Sequence, residues 1–204
     1  MITLSEYLPN MTERTMTGPI DMHAVLQPET ALERKILKEE DFLRGLRWGI
    51  PRYGHPEGEV YKHILEIYDN VEQLNLSMEM REKMRLITLA HDTFKYKEDK
   101  GKPRDWSKHH GIYARKFMER FLDDPILLDI IELHDEAYYS WRMESLFHQP
   151  EAGKLRLNHL LERVGDQLQL FYLFFKCDTR TGDKTQAPVK WFEQRVKGIE
   201  VVHL

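Results

Sequence analysis

Cysteine is nearly absent from this 204-residue chain; Cys177 is the only one. A single cysteine excludes an intrachain disulfide and any metal site built on several thiolates. Long apolar runs are missing too. None approaches the roughly 20 residues that a bilayer-spanning helix requires. The opening MITLSEYLPNMTERTMTG has neither a basic stretch nor an apolar one, so a secretory signal is not expected. An excess of positive charge is lacking as well. The formal net charge is -4, whereas a non-specific nucleic-acid binder needs surplus Lys and Arg to neutralise phosphates. Any nucleic-acid contact would have to come from a local patch. No sustained strand-type alternation, internal repeat or low-complexity segment is visible. What remains is the expectation of a soluble, cytoplasmic, all-α protein of one domain, in which 41% hydrophobic residues supply a core.

The helical reading rests on apolar spacing. Residues 1–28 read as an irregular arm with room for one short helix, and 29–204 as a helical domain. Leu32, Ile36, Leu37, Phe42, Leu43 and Leu46 predict one helix from Pro28 to Trp48. GIPRYGHPEGE is a loop. Helices are expected over about 60–74, 80–90 and 106–122, with a short one from Pro125 through Leu133. The run FKYKEDKGKPRD reads as an exposed loop between the second and third of these. A loop near 148–153 precedes a long helix from about Leu155 to Lys176. Its second half, LQLFYLFFKC, is apolar on nearly all sides and should be the central buried helix. TRTGDKTQAP is a loop, 189–197 a last helix, and VVHL an extended tail.

The chemistry lies at the ends and inner faces of these helices. His63 sits among Val60, Ile64 and Ile67; His91 and Asp92 end LITLAHD; His109 and His110 open the next helix; His134 ends DIIELHD; Asp178 follows LFYLFFKC. Imidazoles and carboxylates in such places must be paired, hydrogen-bonded or metal-bound, because an unpaired buried charge is very costly. Their convergence suggests a centre for Mn, Fe, Co, Ni, Zn or Mg, one or two ions. A cation there lowers the pKa of coordinated water and polarises a phosphoryl oxygen. Asp92 can ligate and also orient water, and Lys95, three residues on, can bind phosphate as a point charge.

His63, then LAHDTFK at 89–95, then Asp178 resembles the H…HD…D signature of the HD superfamily of metal-dependent phosphohydrolases. HDTFK is similar to that superfamily's HD-x-G-K, with Phe94 in place of Gly. The resemblance implies an all-α bundle, with His63, His91, Asp92 and Asp178 as first-metal ligands. It also implies that His110 and His134 hold a second metal, or contact substrate in single-metal members; an exchange of roles between His109 and His110 stays open. More closely, GHPEGEVYKHILEIYD (54–69), HHGIYARKF (109–117) and KCDTRTGD (176–183) resemble the HD domain of bacterial CCA-adding tRNA nucleotidyltransferases. That resemblance implies phosphatase or phosphodiesterase activity, cyclic nucleotides included. No G-S or D-x-D pattern of a polymerase head is seen, so that activity is not carried over. Phe94, and Thr181 where the matched segment has Gly, put the shape of the substrate pocket in question.

The expected substrate is a small phosphorylated one, a nucleotide above all, with an RNA end as an alternative and no membrane partner. Catalysis is assigned to Asp92 and Lys95, and substrate binding to Lys95, Arg180 and His109. Blander readings stand beside these. Arg180 is a surface charge or a phosphate clamp; His55 is a turn residue or a substrate contact. Glu66 is an exposed charge or a base behind His63. KYKEDKGKPRDWSKHH is a solvated loop or an electropositive rim. His23, His148, His159 and His203 read as surface residues, and Cys177 as a small buried hydrophobe. The order H, HD, H, H, D also matches HD-type di-iron oxygenases. A third reading is a non-catalytic, metal-stabilised nucleotide- or RNA-binding module.

Overall fold

Side-chain caps and buried apolar stripes mark where the helices begin. Thr30 accepts from the Glu33 N–H, Ser77 from Met80, and Asp124 from Ile126 and Leu127, each fixing a first turn. The computed structural model describes residues 20–204. Its helices are α1 (Met22–Leu26), α2 (Ala31–Ile36), α3 (Glu40–Leu46), α4 (Val60–Glu72), α5 (Met78–Ala90), α6 (His110–Met118), α7 (Pro125–Leu133), α8 (Glu136–Ser145), α9 (Pro150–Val164), α10 (Leu168–Thr179) and α11 (Ala187–Arg195). Among the described residues there is no strand, only an isolated bridge between Arg52 and His55. The class is all-α. No described helix is long and apolar enough to cross a membrane.

The central helix is α10. Phe171, Tyr172 and Phe174 are fully buried, as is Cys177, and α10 packs against α4, α5, α9 and α11. Asn70 on α4 donates to the Cys177 carbonyl at 2.9 Å, pinning the end of α10 to α4. Of the N-terminal arm, residues 1–19 lie outside the described residues; Met22 and Leu26 of α1 are in the core.

Four expected boundaries differ. The helix over 28–48 is two helices, α2 and α3. Ile36 and Phe42 lie six residues apart and would point about 120° apart on one straight helix; the break at Leu37–Glu39 buries both completely. The helix expected from Trp106 starts at His110, after a single 3-10 turn at Trp106–Lys108. The helix over 155–176 is also two, α9 and α10, divided at Gly165, whose φ of 49° and ψ of -126° no helix accommodates. Residues 136–145, to which the apolar spacing assigns no helix, form α8. It packs closely on α9, where a Cβ at Gly153 would lie 2.7 Å from the Ser140 carbonyl oxygen.

Candidate metal centre

Five helices bring their inner ends to one place. On α4, His63 shares the stripe of Val60, Ile64 and Ile67 and is 1% exposed. The last turns of α5 are wholly buried, and His91 caps them with Asp92 following. His110 opens α6, His134 caps α7, and Asp178 lies in the last turn of α10. Gly111 permits the approach of α6 to α7: a Cβ there would stand 2.2 Å from the Glu132 carbonyl oxygen.

Two ligand clusters share Asp92. Its Oδ2 is 3.5 Å from His91 Nε2 and 3.8 Å from His63 Nε2. Asp178 Oδ1 closes this set, 2.9 Å from His63 Nε2 and 4.0 Å from His91 Nε2. The other oxygen, Asp92 Oδ1, is 3.2 Å from His110 Nε2 and 3.5 Å from His134 Nε2. The aspartate therefore stands between two groups, each able to hold a metal ion.

Hydrogen bonds fix which ring nitrogens have free lone pairs. His91 Nδ1 donates to the Thr88 carbonyl at 2.8 Å, and His134 Nδ1 to the Ile131 carbonyl at 2.9 Å. His110 Nδ1 donates to Glu98 Oε2 at 3.2 Å. Each Nε2 is thus turned into the site, as expected of metal-binding histidines whose other nitrogen is held by a carbonyl or carboxylate. His91 Nε2 is buried with no hydrogen-bond partner. His110 and His134 present Nε2 to Nε2 at 3.0 Å. Two lone pairs cannot face one another at that distance without a proton or a metal ion between them.

The charges agree. Burial pushes His91 down to about 3, so its imidazole is neutral. Burial also opposes charge on His134, but Asp135 and Asp92 outweigh it and lift that imidazole to about 9. For Asp92, burial disfavours ionisation, yet Lys95 and His91 hold it well below the usual carboxylate range. Asp178 is likewise held low by Lys184 and His63 against its burial. A cation is what this set of groups attracts. The neutral His91 imidazole with its orphaned Nε2 and the ionised aspartates fit a divalent ion, which would replace the proton that the aspartates draw onto His134.

A pocket of about 240 Å³ opens beside the centre, walled by His55, Asp92, Lys95, His134, Asp135 and Asp178, among others. Lys95 pairs with Asp92, and Lys184 donates to Asp178 Oδ1 at 2.9 Å. Both ammonium groups therefore border the pocket. His55 lines it too, its Nδ1 2.9 Å from Glu57 Oε1; burial first, then the charges of Lys95 and Lys184, lower its pKa to about 4.

Other sequence-predicted residues lie elsewhere. Arg180 is exposed at the end of α10 and does not line this pocket. His109 is buried beside the ligands, but its Nδ1 accepts from the Gly111 N–H at 3.1 Å, which leaves its proton on Nε2. Glu66 accepts from the Gly182 N–H at 2.8 Å and so caps a loop. Of the basic run at 95–108, the pocket takes only Lys95; Lys97 pairs with Asp41, and Arg104 with Glu98. Phe94 turns away from the pocket into the core, stacking among Phe42, Phe117 and Tyr96.

Sequence reasoning passed over Glu57, Glu98, Asp135 and Lys184. Asp135 had a visible signal, since His134-Asp135 repeats the dipeptide His91-Asp92. Glu98 and Lys184 had none: each is one charge among several in a polar loop.

The family model of the HD domain matches residues 60–163. This span contains His63, His91, Asp92, His110 and His134 and stops before Asp178. Neither a curated protein nor a solved structure matches the chain.

Proposed function

Because the chain belongs to the HD-domain family, we propose that it is a metal-dependent phosphohydrolase acting on a nucleotide-like phosphomonoester or phosphodiester. His63, His91, Asp92 and Asp178 would hold the first ion, and Asp92, His110 and His134 a second. A divalent ion in this position supplies an acidified water and polarisation of a phosphoryl oxygen. The observation that carries the reading is the pairing of this ligand set with two ammonium groups that line one pocket, Lys95 and Lys184.

The chain's own groups do the rest. Lys95 and Lys184 draw in the anionic phosphate and each binds a non-bridging oxygen as a point charge. Asp92 orients the attacking water. Neutral His55 offers one further polar contact in the same pocket. The nucleotide part of the proposal is supported by segments 54–69 and 176–183, which resemble the HD domain of the tRNA nucleotidyltransferases.

The test is elemental analysis of the purified protein alongside a panel of phosphomonoesters, phosphodiesters and cyclic nucleotides. Lys95→Ala should keep its metal and lose about 100-fold or more in turnover, the scale of one lost charge-stabilising donor. Unchanged turnover in that variant would remove Lys95 from the mechanism. Oxidation by a di-iron pair is favoured only by the bridged double cluster itself. Two equivalents of iron with an oxygen-dependent spectrum, and no phosphate release, would replace the hydrolase reading with that one.

A further inference from the structure

The turn after α7 repeats the turn after α5. In each, a histidine caps the helix and donates Nδ1–H to the carbonyl three residues back, His91 to Thr88 and His134 to Ile131. In each, an aspartate follows directly, Asp92 in one and Asp135 in the other. Asp92 faces both ligand clusters. Asp135 faces one of them, with Oδ2 3.6 Å from His110 Nε2 and 3.7 Å from His134 Nε2.

These distances are informative. A direct ion pair between Asp135 and a protonated His134 would close to about 2.7–2.9 Å; the observed separations do not. Four atoms bound to one tetrahedral ion at about 2.1 Å lie about 3.4 Å from one another. The His110 and His134 Nε2 atoms are 3.0 Å apart, and each lies 3.2 to 3.7 Å from both Asp92 Oδ1 and Asp135 Oδ2. The spacing is that of a ligand shell.

We propose that Asp135 is the fourth protein ligand of a second metal ion, completing a tetrahedral N₂O₂ set with Asp92, His110 and His134. The assignment rests on the metal-centre reading above and extends it by one residue. His109 is the positioning residue. Its Nδ1 is occupied by the Gly111 N–H, so the Nε2–H is left facing Asp135 Oδ2 from 3.3 Å, without a formed hydrogen bond, and favours the carboxylate there without competing for the ion. Glu98 does the same for His110 from the far side. With two imidazoles, two carboxylates and no thiolate, the site suits zinc or cobalt in four-coordination.

The test titrates the full-length, metal-stripped protein with Zn²⁺ by calorimetry and with Co²⁺ by visible absorption. The wild type should bind two equivalents, and the second Co²⁺ should bring the intense visible bands of four-coordinate cobalt. Asp135→Ala should keep the first equivalent at wild-type affinity, weaken the second by about 100-fold or more, and lose those bands. Asp135→Asn preserves the shape while removing the charge, so it carries the test should the alanine variant fail to fold; its second equivalent should weaken as well. Two equivalents at wild-type affinity in both variants would overturn the assignment and leave the first site untouched. Saturation of the wild type at one equivalent, itself abolished by His91→Ala, would also overturn it while sparing the proposed hydrolase. A wild type that binds no ion would refute both.

Discussion

His91 carries the plainest mark of a metal ligand in this chain. Its Nδ1 is committed to the Thr88 carbonyl, and its Nε2 is buried beside two aspartates without a hydrogen-bond partner. A buried acceptor left unsatisfied costs about 1–3 kcal/mol, and nothing else in the surroundings offsets that cost. His91→Ala should therefore lose the first ion and leave the purified protein with about half of the wild-type metal content or less, a loss at least as large as that from removing an outer partner of one ion. Elemental analysis reads this directly, and a variant with normal metal content would refute the site. Phe94 poses a different residue-scale question. The sequence put pocket shape in doubt there, because Phe replaces an expected Gly. In the fold its ring packs against Phe42 and Phe117 and is 2% exposed, so the departure is absorbed by the core rather than by the pocket.

At the scale of elements, the approach of α6 to α7 decides whether His110 and His134 meet. Gly111 sits at that crossing, with the Glu132 carbonyl where a Cβ would be. Gly111→Ala collides with backbone, which cannot rotate aside, and overpacking of this kind costs about 1–3 kcal/mol. The urea midpoint should fall accordingly. The second ion should bind more weakly while the first, held by His63, His91 and Asp178, is retained. Equal loss of both ions would show that the helix crossing does not set the histidine pair separately. The six converging histidines and aspartates were legible in the sequence because each polar group interrupts an apolar stripe or ends one. Other features were not. In α8, EAYYSWRMES, aromatic residues fall on several sides, so no single stripe announces a helix. At Gly165 the apolar spacing runs on past a residue whose backbone leaves the helical region, with φ of 49°. Glu57 and Glu98 come from polar loops, and only tertiary folding reveals that their side chains are 5% and 2% exposed.

For the whole molecule, the centre is a cross-link. Its ligands run from His63 to Asp178 and belong to α4, α5, α6, α7 and α10, so an ion there ties together helices that are far apart in sequence. It also relieves a concentration of buried negative charge. Asp92, Asp178, Glu57 and Glu98 all lie close around the histidines, with Lys95, Lys184 and Arg104 as the neighbouring cations. The unfolded chain gathers no such set, so the ion binds the folded state and stabilises it by mass action. At a free concentration of about 100 Kd the gain is about 2.7 kcal/mol. For a chain of this length, each kcal/mol shifts Tm by about 2–4 °C. Stripping the ion with a chelator should therefore lower Tm by about 5–10 °C, and re-adding Mn²⁺ or Zn²⁺ should restore it. The same treatment should lower the Tm of His91→Ala by clearly less, because that variant has lost the first ion and keeps only the second. A chelator-induced fall of equal size in the variant would trace the stabilisation to metal bound elsewhere on the chain.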